Sequence, residues 1–180
     1  LCHIIQKLCQ NHITLLRGHS DTGKTTALTA DMTTAKMFLN AAISEAATFI
    51  TADIKDFYLQ STLERPEYMR IPRKCIPDIT QQTFQLEPYL DNDHMVVEIT
   101  KGIYGLKQAG LLAQMQLVKH LALHGYHQAD TTPCLFHHAT RPISFVLIVD
   151  DFGIKFQGDE HAKHLIDTLQ LLYKLKVNWT

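Results

Sequence analysis

Two adjacent carboxylates, Asp150 and Asp151, interrupt an otherwise apolar stretch that runs from Phe145 to Phe156. The run FVLIV before them and the run FGIKF after them predict two strands joined by a tight turn. Like charges repel, and burying them beside an apolar core is costly unless something neutralises them. The sequence therefore predicts a β-hairpin with two acids at its tip. This tip is either a solvated turn, where Asp is common, or a site for a divalent cation.

A third acid, Asp53, lies near the end of a second predicted strand. This strand is ATFITADI, residues 47–54, and it contains the β-branched and aromatic residues that strands favour. If it neighbours the hairpin, three carboxylates meet at one place. Carboxylate oxygens suit Mg²⁺, and two such ions can activate an attacking hydroxyl and stabilise a leaving phosphate. The three acids therefore indicate phosphoryl-transfer chemistry.

Three segments have the apolar spacing of amphipathic helices, namely residues 31–46, 111–124 and 159–173. The predicted buried faces are Ala35, Phe38, Leu39, Ala42, Ile43 and Ala46 in the first, Leu111, Met115, Val118 and Ala122 in the second, and Ala162, Leu165, Ile166, Leu169 and Tyr173 in the third. Each of these helices is expected to cover part of a sheet.

Further strands are expected at residues 13–16, 67–71, 95–100 and 175–179. A loop punctuated by Gly102, Gly105 and Gly110 is expected before the second helix. Strands and helices are mixed without a strict βαβ alternation. This order predicts an α+β fold with an antiparallel sheet backed by helices.

The 180 residues suit one domain, or one domain plus part of another, and the composition, 46% hydrophobic and 19% charged, predicts a packed core. The net charge of −1 gives no global attraction for nucleic acid, so such a partner would be held by local patches or by other domains. The four scattered cysteines argue against a disulfide framework or a zinc ribbon. No apolar run is long enough to span a bilayer, and the first residues do not resemble a signal peptide. We therefore expect an intracellular, non-secreted piece of a longer protein.

Residues 18–26, GHSDTGKTT, fit the phosphate-binding pattern G-x-x-x-x-G-K-[ST] between Gly18 and Thr25. A P-loop NTPase needs a helix that begins at Lys24 and a mainly parallel sheet. The threonines after Lys24 are poor helix formers, and the order of the elements favours an antiparallel sheet. A P-loop nucleotide hydrolase is therefore an alternative hypothesis and not the preferred one.

Three motifs, in this order, resemble the reverse transcriptase of copia-type LTR retrotransposons. They are TADIKDFYLQSTLERPEYMRIP from Thr51, KGIYGLKQAG from Lys101 and FVLIVDDFGIKF from Phe145. Each motif is weak alone, but the combination is specific, and the resemblance covers roughly residues 13–180. The chain departs from the pattern at Ile148, where reverse transcriptases usually carry Tyr or Phe two residues before the paired acids.

The resemblance implies a right-hand polymerase palm with part of the fingers and without a thumb. Residues 1–50 would be a partial fingers region, and residues 51–180 the palm, with a fingers insertion at about 60–100. It implies an RNA-directed DNA polymerase that transfers nucleotides from dNTPs to a primer 3′-OH. The implied cofactor is a pair of Mg²⁺ ions, which Mn²⁺ could replace.

The resemblance also implies the partners of the chain. These would be an RNA or DNA template with its primer, dNTPs, and the rest of a Pol polyprotein with its thumb, RNase H and integrase. No membrane is implied. The expected location is the cytoplasm, in a retroelement particle.

Individual residues receive roles from the same resemblance. Asp53, Asp150 and Asp151 would be the catalytic metal ligands, with the backbone carbonyl of Ile54 beside them. The residues that would bind the incoming nucleotide are Phe57, Tyr58, Gly105 and Gln108. Tyr58 would exclude a ribose 2′-OH by steric contact, and Gln108 would contact the nucleotide through its amide. Without the acids, Tyr58 would be an ordinary core aromatic and Gln108 a loop surface residue.

Four basic residues are candidates for contacts with template or triphosphate phosphates. They are Lys24, Arg70, Arg73 and Lys74. The alternative for the cluster MRIPRK is a solvated loop, and the segment HITLLRGHSD is poor in basic residues. A catalytically inactive remnant of an element is therefore a second alternative, although all three acids are present.

Overall fold

The computed structural model describes residues 14–16, 27–106 and 108–179, and these form an α+β fold with two antiparallel sheets. The predicted class, an antiparallel sheet backed by helices, is confirmed. The P-loop pattern from Gly18 to Thr25, and Lys24 with it, lies outside the described residues. In the part of the chain that is described, no helix is long and apolar enough to cross a membrane.

The strands are β1 Thr14–Leu16, β2 Thr48–Ile54, β3 Thr62–Pro72, β4 His94–Lys101, β5 Tyr126–Gln128, β6 Leu135–His138, β7 Ile143–Ile148, β8 Asp151–Phe156 and β9 Leu175–Asn178. The α-helices are α1 Met32–Ser44, α2 Asp78–Thr83, α3 Ala109–Leu123 and α4 Asp159–Gln170. Three short 3₁₀ turns at Phe57–Gln60, Arg73–Cys75 and Glu87–Tyr89 complete the described elements.

The larger sheet has six strands in the order β5-β6-β7-β8-β2-β9, and each neighbouring pair is antiparallel. Because side chains alternate across a strand, the sheet has two distinct faces. Phe145 and Tyr126 lie on one face, where the Tyr126 hydroxyl meets His164 of α4. Lys155 lies on the other face, where its ammonium pairs with Glu45 and lies over the ring of Phe38 in α1. Helices therefore cover both faces of this sheet.

The core of the larger sheet is built on aromatic rings. The rings of Phe136 and Phe145 stack at 4.9 Å between centroids, and Phe152 lies 5.3 Å from Phe145. These three side chains are completely or almost completely buried. Buried aromatic side chains contribute large apolar areas, so they hold the strand register of the sheet firmly.

The smaller sheet has three antiparallel strands in the order β1-β3-β4. An irregularity between Thr62 and Glu67 shifts the register of β3 against β4, as a β-bulge does. Its core is small and has Met69 and Ile71 at its centre. The strand β3 runs further than the predicted residues 67–71, because pairing with β4 extends along most of its length.

The helices show where periodicity succeeds and where it fails. In α4 the complete predicted face is buried, although the helix ends at Gln170 and Tyr173 follows it. In α1 only Phe38 and Ala42 of the predicted face are fully buried, while Leu39 and Ile43 are exposed. Asp31 caps α1 by accepting a hydrogen bond from the backbone N–H of Thr34.

The predicted face of α3 is only partly correct, since Val118 packs against the larger core while Ala122 is exposed. Met115 is exposed, and the buried residues are Ala109, Ala113, Gln114, Leu117 and Leu121. This helix has apolar residues on every side, so spacing alone does not single out one face. Gly110, predicted to lie in a loop, is instead the second residue of α3.

Candidate active site

The hairpin tip between β7 and β8 is a two-residue turn made of Val149 and Asp150. Ile148 and Asp151 are the last paired residues below it. Val149 has a φ of 63°, a left-handed conformation that is rare for a β-branched residue. Strained backbone of this kind is frequent at functional sites. The predicted hairpin is therefore present, with Asp150 in the turn and Asp151 as the first residue of β8.

The three acids lie at one end of β2 and β8, two neighbouring inner strands of the larger sheet. Asp53 of β2 lies directly opposite Asp151 of β8, so the two side chains point to the same face. The backbone N–H of Ile54 donates to the carbonyl of Asp150 at 3.1 Å, which ties the hairpin tip to the end of β2. The structure thus brings together three residues that the sequence alone could only suggest as neighbours.

The carboxylates at these strand ends repel one another. The pKa of Asp150 is raised by burial and, further, by the nearby carboxylates of Asp151 and Asp53. Such repulsion is what a bound divalent cation relieves. No group of three or more His, Cys, Asp and Glu side chains among the described residues is arranged to hold a metal ion as it stands. The donors nevertheless fit Mg²⁺ chemically, because all three are carboxylates.

A group of aromatic rings adjoins the acids. Tyr58 packs between Phe57, at 5.7 Å between ring centroids, and Tyr104, at 5.0 Å. Burial raises the pKa of the Tyr58 phenol, and the charge of Asp150 raises it further. The pKa of Tyr104 is raised by burial first and then by several acids, of which Asp150 is the strongest. Both phenols are therefore close to the carboxylates and stay neutral.

A cavity of about 540 Å³ opens beside Tyr58. Its lining residues come from the segment before α1, the 3₁₀ turn after β2, the loop before α3, the start of α3, and the hairpin tip at Val149. Phe57, Tyr58 and Gly105, three of the predicted nucleotide-binding residues, line it. The size is within the range of small-molecule sites.

Two glycines shape the loop between β4 and α3 for different reasons. Gly105 has a φ of 98° and open space around its Cα, so conformation and not crowding requires glycine there. Gly102 is the crowded position, since a Cβ would lie 2.4 Å from the carbonyl oxygen of Tyr58 and from the hydroxyl of Ser61. Gly102 therefore lets this loop pack directly against the turn that carries Tyr58.

Gln108 is held by a residue that sequence reasoning did not select. Its Nε2 donates to Oε1 of Glu67 at 2.8 Å, and Glu67 lies on β3 of the smaller sheet. Gln108 is not among the residues that line the cavity. Its amide therefore links the residue before α3 to the smaller sheet in this structure, and a nucleotide contact stays a prediction.

The basic candidates among the described residues do not gather at the acids. Arg73 forms an ion pair of 2.9 Å with Glu87, and it lines a separate cavity of about 490 Å³ with Lys74, Asp78 and Asp93. These residues follow the end of β3 that is remote from Tyr58, roughly 30 Å along an eleven-residue strand. Arg70 is an exposed residue of β3 itself. Lys24 lies outside the described residues.

Sequence reasoning missed Tyr104, Glu67 and Gln114 among the residues at or near this site. Tyr104 lies inside the motif KGIYGLKQAG, so its closeness to Gly105 and Gln108 was a usable signal. Glu67 likewise lies inside the motif that begins at Thr51, whereas Gln114 carries no such local signal. Comparison with known proteins adds no further assignment, since no family model, no curated protein and no solved structure matches the chain.

Proposed function

We propose that this chain is the fingers and palm region of an RNA-directed DNA polymerase from a copia-type LTR retrotransposon. The observation that carries the proposal is the pairing of Asp53 with Asp151, together with the hydrogen bond from Ile54 to Asp150. Three carboxylates at one end of the neighbouring strands β2 and β8, beside a cavity of small-molecule size, suit nucleotidyl transfer.

Asp53, Asp150 and Asp151 would hold two Mg²⁺ ions, with the carbonyl of Ile54 beside them. When bound, the metal would supply activation of the primer hydroxyl and stabilisation of the leaving phosphate. Phe57 and Tyr58 would form the floor under the sugar, and the ring of Tyr58 would exclude a 2′-OH. The template with its primer, the dNTPs and the remaining Pol polyprotein would be the partners, in a cytoplasmic particle.

The antiparallel pairing of both sheets supports this proposal over a P-loop hydrolase, which uses a mainly parallel sheet. No described residue favours the hydrolase, since its pattern lies outside the described part of the chain. Loss of ATP hydrolysis on Lys24→Ala would favour it. Absence of any incorporation by the wild-type protein would instead favour an inactive remnant.

The decisive experiment is Asp150→Asn in the intact protein that contains this chain. Incorporation of dNTPs on a primed template with Mg²⁺ should fall by at least roughly a thousand-fold, because one metal-binding charge is removed. The matched control is Asp130→Asn, which removes the same charge from an exposed loop. Incorporation at the wild-type rate by Asp150→Asn would refute the proposal.

Sugar selection gives a second test. Tyr58→Val should raise the use of rNTPs relative to dNTPs by about tenfold or more, because the steric barrier is removed. Tyr104→Ala should raise it by about a few-fold with Tyr58 intact, since the ring of Tyr58 loses its edge-to-face partner. Tyr68→Ala, at an exposed tyrosine of β3, is the control. Unchanged selection in Tyr58→Val would remove the proposed sugar filter.

A further inference from the structure

Gln114 is a buried polar residue in the middle of α3, with 8% of its surface exposed. Its Oε1 accepts a hydrogen bond from the backbone N–H of Leu28 at 2.8 Å, and its Nε2 donates to the carbonyl of the same residue at 2.8 Å. The same nitrogen lies 3.1 Å from Sγ of Cys134. A buried amide that satisfies both backbone groups of one distant residue holds that residue in place.

The residue that Gln114 holds is part of a cavity wall. Leu28 and its neighbours Ala27 and Thr29 line the 540 Å³ cavity, and the side chain of Leu28 is 55% exposed. This segment has a second attachment, a hydrogen bond of 3.0 Å from the N–H of Ala30 to the carbonyl of Leu147. Gln114 is thus the attachment nearest to the part of the segment that faces the cavity.

The same helix supplies another part of the wall. Ala109 and Gly110, in the first turn of α3, line the cavity together with Tyr58. Gln114 lies one turn further along and also belongs to the lining. The amide therefore fixes the distance between the Leu28 segment and the helix, and this distance sets the width of the cavity.

We propose that Gln114 is a positioning residue that sets the width of this cavity through Leu28, and that this width sets the affinity for the incoming nucleotide. In this role Gln114 acts by holding Leu28, which lines the cavity. The effect on nucleotide affinity rests on the proposed polymerase function. The hold on Leu28 does not depend on it.

Gln114→Leu tests both parts in the intact protein. The Leu28 amide loses its acceptor, so its hydrogen exchange should accelerate by about tenfold or more. The Ala30 amide keeps its acceptor on Leu147, so its hydrogen exchange rate should not change. This comparison distinguishes loss of the hydrogen bonds between Gln114 and Leu28 from general unfolding. The KM for dNTP should rise about tenfold with kcat changed less than about twofold, because ground-state and transition-state binding are lost together.

Gln114→Glu gives a second test, because it should make KM and the Leu28 exchange rate depend on pH. A general loss of stability would not produce this pH dependence. A protonated carboxyl group can accept from the Leu28 N–H and donate to its carbonyl as the amide does, whereas a carboxylate cannot donate. Burial raises the pKa of a carboxyl group. Both hydrogen bonds to Leu28 should therefore be present at low pH, and the donated one should be lost as pH rises through this raised pKa. The KM relative to wild type, and the Leu28 exchange rate relative to Ala30, should both rise with pH.

The described titratable groups near position 114 do not interfere with this series. The pKa of the Cys134 thiol is raised by burial, and the pKa of the Tyr58 phenol across the cavity is raised too. Both groups therefore stay neutral between pH 6 and pH 8, roughly. Gln116→Glu, which makes the same change at an exposed position of α3, should show no pH-dependent ratio.

The outcomes separate the two parts. Equal hydrogen exchange rates of the Leu28 amide in wild type and Gln114→Leu would refute the statement that Gln114 holds Leu28. Faster Leu28 exchange with an unchanged KM would overturn the link to nucleotide affinity. If the wild-type protein incorporates no nucleotide, the polymerase proposal fails, and the exchange of Leu28 against Ala30 still decides whether Gln114 holds the cavity wall.

Discussion

The two sheets differ in how firmly each is held. The six-stranded sheet has a core of stacked aromatic rings, and helices cover both of its faces. The three-stranded sheet has a smaller core around Met69 and Ile71, and it leaves Tyr68 and Val96 exposed. The larger sheet should therefore contribute most of the free energy of unfolding.

The candidate site is divided between these regions in a way that suits its proposed chemistry. The acids lie on the larger sheet, where the strand register is fixed by packing on either side. Tyr58 packs against both cores, and the bond between Gln108 and Glu67 ties the start of α3 to the smaller sheet. The groups that would hold metal are thus on the firm region, and those that would meet the nucleotide are at the junction.

The largest expected effect on the free energy of unfolding comes from truncating a buried side chain in each core. Phe145→Ala should lower the free energy of unfolding by about 3–5 kcal/mol and Met69→Ala by about 2 kcal/mol, since the aromatic leaves the larger cavity. Trp179 is the single tryptophan and packs on Phe156 of the larger sheet, so its fluorescence reports on that sheet. Urea unfolding followed by this fluorescence should shift strongly for Phe145→Ala and little for Met69→Ala. A shift for Met69→Ala of about half that for Phe145→Ala, in proportion to their costs, would mean that the two regions unfold as one unit.

An effect smaller than that of Phe145→Ala is expected at the junction of the two sheets. Gly102→Ala should cost about 3 kcal/mol, because the added Cβ meets backbone and the junction must move apart. Gly105→Ala should cost about 1–2 kcal/mol through its positive φ alone, since the space beside it is open. Only Gly102→Ala should also relax selection against rNTPs, because it displaces Tyr58. If both variants change sugar selection alike, the junction is not what positions Tyr58.

The smallest expected effect is a pH dependence confined to the larger sheet. Burial, and next the charge of Arg141, lowers the pKa of His138 below its ordinary value, while its Nδ1 accepts from the N–H groups of Thr140 and Arg141. The fold therefore favours the neutral ring. The stability it contributes is complete above the unfolded pKa, near 6.5, and is lost as pH falls through the lower folded value.

Thermal unfolding followed by Trp179 fluorescence should show this loss as a fall in Tm of a few degrees, roughly, between pH 7.5 and pH 5.5. His138→Asn keeps an acceptor near the position of Nδ1 but does not titrate. Its Tm should therefore change less over the same interval. An identical pH dependence in wild type and variant would assign the effect to other groups.

Much of the fold could be predicted from local sequence. The β7–β8 hairpin, β2, β4 and α4 lie where alternation, β-branched residues or a clear apolar face predict them. The face of α3 could not be predicted, because Leu111, Leu112 and Met115 are as apolar as the residues that are buried. In such a helix the packing partners choose the face, and they are distant in sequence.

The sequence by itself determined the hairpin with its two acids, the strand that carries Asp53, and the three main helices, because these depend on short-range patterns and propensities. Only the tertiary structure decided that Asp53 lies opposite Asp151, that Tyr104 packs on Tyr58, that Glu67 holds Gln108 and that Gln114 holds Leu28. Each of these pairs joins separate elements. Their contacts follow from strand register and core packing, which no local stretch of sequence specifies.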